Sequence, residues 1–314
     1  MKHIAKIENS PSDTVSDLCF YNEYTFGATS WDGSMKIWNI QETWANTVET
    51  EYKEPKKSAL LRFDFSNDSK NVFFGNTMGE IKSLDRSNNQ ASVIGNHKGI
   101  IVGLKYDKSK NNVITAGSDS VINIWDPRTN KSVTNVKCPI KPTFLDVSGN
   151  YAAFSMIESK IGIIDIRNSA NIVEIKSDLP GVITSIALSG DSAFFMAGSS
   201  HGCVEISNQN STIKKVFPCH IDEAKGQAFA SNRVKFAMDH KGAFSVGGDG
   251  SVAYFDLDNG KKVFEKPSGA NGSITAFSPF PKGPFLFVAS GYDWSKGIGG
   301  NQGATVEIHI KGYK

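Results

Sequence analysis

The sequence predicts an all-β chain folded as a β-propeller of seven blades. A recurring phrase, the period of its recurrence and a spare strand at the N-terminus predict it. The phrase is a tight turn followed by a β-rich run that ends in an aromatic or aliphatic residue and Asp. Its clearest copies are Ser30-Trp31-Asp32-Gly33-Ser34-Met35-Lys36-Ile37-Trp38, Ser118-Asp119-Ser120-Val121-Ile122-Asn123-Ile124-Trp125-Asp126 and Gly248-Asp249-Gly250-Ser251-Val252-Ala253-Tyr254-Phe255-Asp256. Weaker copies are centred on Gly79, Ser159 and Gly202. Successive turns lie roughly 40–48 residues apart, the period of propeller blades.

Blade one begins at the alternating run Val15-Ser16-Asp17-Leu18-Cys19-Phe20 and continues through Tyr24–Ala28 to Trp38. Blades two and three run from about Ala59 to Val93 and from about Ile101 to Val136. Blades four, five and six follow at roughly 143–175, 182–216 and 233–264. Asn, Ser, Gly, Lys and Pro fill the connections, as turns require. The last blade has three strands of its own, in Ser273–Phe277, Phe285–Ser290 and Thr305–Ile310. Its missing fourth strand is expected from His3-Ile4-Ala5-Lys6-Ile7, which would close the ring and remove two exposed sheet edges. The whole of 1–314 then forms a single propeller domain.

Composition narrows the function classes. Lys and Arg number 34 against 32 for Asp and Glu, so no global basic field drives nucleic-acid binding. Cys19, Cys138, Cys203 and Cys219 lack paired metal-ligand spacing and read as reduced thiols of an intracellular protein. The N-terminus has no signal-peptide pattern, and no apolar run is long enough to span a membrane.

Few residues suggest chemistry. His97, Thr115, Asp119 and Trp125 have the spacing of a hydrogen-bonded structural tetrad, in which the imidazole bridges the turn Asp and the hydroxyl, and the hydroxyl meets the indole N–H. His220 beside Cys219 shows no third metal ligand at a recognisable spacing and reads as a loop anchor. The Gly297–Gly303 string has no Lys-Ser/Thr after it and reads as a strand connector, not a phosphate loop. No base, nucleophile and oxyanion donor come together, so no enzyme, metal or cofactor is expected. Trp31 and Trp294 fall in second-to-third-strand connections, on one end face, where rigid aromatics serve as interface anchors. Lys98 and the cluster Lys53–Lys57 join that rim.

At Tyr292-Asp293-Trp294-Ser295-Lys296-Gly297 the chain resembles the poly(A)-RNA export factors of the nuclear pore. These are seven-bladed WD-repeat proteins related to the mitotic checkpoint WD-repeat proteins. Asn9–Ser16, Ser30-Trp31-Asp32, Trp125-Asp126-Pro127-Arg128, Phe217-Pro218-Cys219-His220 and Gly247-Gly248-Asp249-Gly250 carry the likeness along the chain. The resemblance implies an adaptor of mRNA export at the nucleus and nuclear pore, shuttling with the cytoplasm. It would bind a nucleoporin GLEBS-type segment across its loop face, with single-stranded RNA as an optional second ligand, as a monomer or paired with that peptide. Trp294 and Lys296 would belong to the contact surface, beside Trp31, Lys98 and Tyr292. One departure stands out: where the family carries Glu-Gly-Arg in the turn of blade five, this chain reads His201-Gly202-Cys203. The guanidinium that grips the peptide's carboxylates is therefore missing. The alternatives are a checkpoint adaptor docking kinetochore kinases, or a propeller scaffold of another assembly.

Overall fold

The computed structural model describes residues 1–168, 171–208, 213–238, 241–295, 297 and 305–313. Seven four-stranded antiparallel sheets form the blades, each running from an inner to an outer strand. In blade one the strands are Val15–Phe20, Thr25–Ser30, Ser34–Ile40 and Asn46–Lys53. This outermost strand had no sequence counterpart above. Its burial alternates along most of its length, because one face meets solvent. The second strand, by contrast, is buried at every residue, since both faces pack on neighbouring blades.

The sheets meet face to face. Phe26 and Trp38 stack at 5.0 Å between ring centroids and join Phe287, Ile308 and Ile310 of blade seven in one core. Gly27 leaves room for blade two: a Cβ there would lie 2.8 Å from the Phe63 ring.

The ring closes as the spare strand requires. Lys2–Lys6 pairs antiparallel with Glu307–Gly312 as the outer strand of blade seven, with Lys2 opposite Gly312 and Lys6 opposite His309. Ile7 N–H extends the ladder to the Ile308 carbonyl at 2.8 Å, and Lys6 pairs with Glu307 at 2.6 Å. No described residue is helical, and no helix is long and apolar enough to cross a membrane.

One element is an addition to the repeat. Between blades five and six, Ile221–Asp222 and Gln227–Ala228 form a small hairpin. Every inner strand also carries a register shift near its start, as between Val15 and Asp17 and between Ser231 and Arg233, and one residue further along in blade seven, between Ile274 and Ala276. A bulge turns the strand locally, and here it sets which side chains face the central channel.

Candidate docking face and central channel

The second-to-third-strand turns bring the chain back through left-handed backbone. Gly33, Gly79, Gly202 and Gly250 hold φ between 67° and 83°, and Ser120 and Ser159 hold 65° and 55°. Blade seven puts Trp294 at this place, with φ 62°. A bulky residue there is strained. Yet the Trp294 side chain is not recovering that cost by burial, since the residue is 44% exposed.

Trp31, 46% exposed, stands beside the corresponding turn of blade one. Trp31, Tyr292 and Trp294 line one hollow of about 480 Å³ at the channel mouth, with Thr14, Ser16, Thr184, Asn232, Thr275 and Arg233 below them. The hollow is held from both sides. Trp31 N–H donates to the Thr14 carbonyl at 3.0 Å, and the Thr14 hydroxyl donates to the Tyr292 carbonyl at 2.9 Å. The Tyr292 hydroxyl reaches the Gly297 carbonyl at 2.5 Å, and its ring lies 5.5 Å from that of Trp294. Asp293 fixes the turn by accepting from Ser273 Oγ and Ser295 N–H. Burial alone would raise its carboxyl; hydrogen bonds from Ser295 and Ser273 hold it below the usual carboxylate range.

The remaining rim residues lie at other turns of this face. Lys98 is exposed, and its backbone N–H donates to Asp119 at 2.8 Å. His201 is exposed and Cys203 half-buried at the blade-five turn. Neither they nor Lys98 line the aromatic hollow. Lys296 lies outside the described residues, as do residues 298–303 of the glycine string.

His97, Thr115, Asp119 and Trp125 form a connected chain in blade three. His97 Nδ1 lies 3.0 Å from Asp119 Oδ1, His97 Nε2 lies 2.8 Å from Thr115 Oγ1, and Trp125 Nε1 donates to the same hydroxyl at 2.8 Å. Burial pushes the His97 imidazole below its ordinary pKa, against the pull of Asp119. Both ring nitrogens are engaged, which suits an architectural role.

Blade six holds a second such network that the sequence reading missed. His220 is fully buried, with Nδ1 3.0 Å from Asp249 and 2.9 Å from Ser251 Oγ, and Nε2 2.8 Å from Ser245 Oγ. Ser245, Asp249 and Phe255 repeat the offsets of Thr115, Asp119 and Trp125. The added hairpin lengthens the His-to-Asp interval and hid the match. The sequence spacing offers no third ligand beside His220 and Cys219, but the fold brings distant carboxylates to the histidine. Among the described residues, His220, Asp249 and Glu265 bring ligand atoms within 4.8 Å of one another. Those atoms are already committed: Glu265 Oε1 accepts the His220 backbone N–H at 2.5 Å and Oε2 accepts from Lys262 at 2.7 Å. All four cysteines are free thiols. Burial raises the Cys138 thiol to about 12 and pushes Cys219 up as well, so neither is a ready nucleophile.

Comparison with known proteins fits this geometry. Residues 1–39 and 88–126 match the WD40 family, described as "WD domain, G-beta repeat". Each stretch takes an outer strand of one blade and three strands of the next, so the first match bridges the ring closure. The mRNA export factor GLE2 of Chaetomium thermophilum and the mRNA export factor rae-1 of Caenorhabditis elegans are each 25% identical to this chain. Each alignment covers 96% of it and 87% of the relative. The mitotic checkpoint protein BUB3.3 of Arabidopsis thaliana is 26% identical over 97% of this chain and 98% of its own. The chain is a seven-bladed WD-repeat β-propeller, similar over nearly its whole length to mRNA export factors, with the checkpoint proteins as a sister group.

Proposed function

We propose that this protein is a non-enzymatic adaptor of nuclear mRNA export, acting at the nuclear pore. Its ligand is a nucleoporin segment of the GLEBS type, laid across the turn-bearing face and anchored in the Trp31–Tyr292–Trp294 hollow. The observation that carries the reading is Trp294: a large aromatic kept in left-handed backbone and left exposed. Interface anchors have this character, because a rigid exposed ring offers apolar area at little ordering cost. Lys98 supplies positive charge elsewhere on the rim, and His201 and Cys203 flank the peptide's path at blade five. Lys296 extends the contact surface, and single-stranded RNA is a further ligand for the same aromatic mouth. Similarity to the two export factors sets the biological context.

A checkpoint adaptor is the second reading, favoured by the near-complete span shared with BUB3.3. Titrating a nucleoporin hairpin peptide and a kinetochore-kinase peptide into the full chain separates the two. Export predicts that the nucleoporin peptide binds and that Trp294→Ala weakens it. Binding of the kinase peptide alone would reverse the order.

A further inference from the structure

The inner strands stack two rings of side chains along the channel. By the common bulge, the first ring is Asp17, Arg62, Gly103, Phe144, Ser185, Arg233 and Ala276, one residue from each blade. Two residues further on come Cys19, Asp64, Lys105, Asp146, Ala187, Lys235 and Ser278. The second ring balances its charges, with Lys105 3.6 Å from Asp146. The first does not: it holds two guanidiniums and one carboxylate.

Those guanidiniums converge. Arg62 Cζ lies 4.3 Å and Arg233 Cζ 4.8 Å from the centroid of the Phe144 ring. Both also donate to one acceptor, the Ser16 carbonyl, at 3.4 Å and 2.9 Å. Arg62 and Arg233 each give one further bond, to the Leu61 and Asn232 carbonyls. Arg62 Nε is sealed from solvent and has no partner, a costly state for a charged donor. Asp17 spends one oxygen on the Leu18 N–H, and no described ion pair joins it to either arginine. Lys235 is turned to the Leu18 carbonyl at 2.8 Å. Both rings border a hollow of about 270 Å³, which Arg62, Phe144 and Arg233 line together with Asp17, Lys105 and Asp146. A water molecule occupies about 30 Å³.

We propose that the channel waist is an oxyanion site, in which Arg62 and Arg233 bridge one phosphate group over Phe144. A tetrahedral anion takes up unused N–H donors from both arginines, and guanidinium matches its geometry. It also offsets the repulsion between two half-buried cations. Burial first, and Arg62 second, push Arg233 down to about 9, and burial likewise lowers Arg62. The ligand is free orthophosphate or the terminal phosphomonoester of a nucleotide.

Calorimetry on the full chain, with orthophosphate, adenosine monophosphate and adenosine at matched ionic strength, tests this. Orthophosphate binding identifies the free ion as sufficient. Binding of the monophosphate alone identifies a nucleotide terminus as the source. Arg62→Gln and Arg233→Gln should each weaken binding at least about tenfold, the loss of one charge-assisted contact. Asp17→Asn, which removes the one opposing carboxylate of that ring, should tighten it; this variant keeps the test decisive if an arginine variant fails to fold. Silence of both phosphate compounds at millimolar concentration, equal binding of adenosine, or no response to Asp17→Asn overturns the proposal.

Discussion

Blades three and seven build the same turn and put it to opposite uses. In blade three, Asp119 holds a turn whose left-handed residue is the small Ser120, and the large aromatic, Trp125, points inward onto Thr115 and is 7% exposed. In blade seven, Asp293 holds the same turn, but the left-handed residue is itself the tryptophan and the ring stays outside. Blade three satisfies every polar member of its network from within. Blade seven accepts backbone strain to present a surface. The contrast separates an aromatic packed into the ring from one left exposed on its rim, where the proposed ligand would dock.

The largest effect should come from the inner aromatic. Trp125→Ala empties a buried site and should destabilise the protein by about 3–5 kcal/mol. It should leave peptide affinity per folded molecule unchanged. Chemical denaturation reads the first and calorimetry the second; a loss under 1 kcal/mol would remove the distinction between the blades. Next comes the outer ring. Trp294→Ala should cost about 2 kcal/mol in peptide binding, as an anchor does, with little change in melting temperature. Trp294→Gly sharpens this, because glycine adopts φ 62° without a steric penalty. Its melting temperature should equal or exceed that of the parent while binding is lost. A marked fall in thermal stability would show that Trp294 is packing, not presenting.

Acid should act on blade three. The His97 imidazole titrates lower in the folded chain than its ordinary 6.5, so below that pH the unfolded chain binds the extra proton first. Stability is therefore full above pH 6.5 and declines as pH falls toward the folded pKa. His97→Asn should flatten this slope in pH-dependent melting curves; an unchanged slope would place the titration elsewhere. The smallest effect is expected at blade five. Cys203→Arg supplies a guanidinium to the rim and should tighten an acidic peptide several-fold, roughly one charge-assisted contact. Weaker binding would mean that the peptide avoids this turn.

The repeat made the architecture legible, because a turn of fixed geometry every blade leaves glycine, serine and aspartate at fixed offsets. It also exposed the spare strand, since three strands in the last blade demand a fourth. Asn46–Lys53 escaped notice because an outer strand is half solvated and carries Thr and Glu in place of a continuous apolar run. The His220 network escaped because the hairpin at Ile221–Ala228 displaced the histidine from its usual interval. That signal was available at Ser245, Asp249 and Phe255. The aromatic mouth was partly legible: Trp31 and Trp294 share a predicted face and the family likeness adds Tyr292 to it, but nothing in the sequence tells that the three border one hollow. The arginine pair was invisible, for Arg62 and Arg233 lie four blades apart and meet only through the bulges that turn both inward.

The most direct test titrates an acidic GLEBS-type hairpin peptide into the full chain, its Trp31→Ala, Trp294→Ala double variant and its Trp125→Ala variant. Micromolar or tighter binding to the parent, abolished in the double variant and retained by folded Trp125→Ala, is the predicted result. Absence of binding to the parent, or equal affinity in the double variant, would contradict the assignment of the aromatic mouth as the docking site.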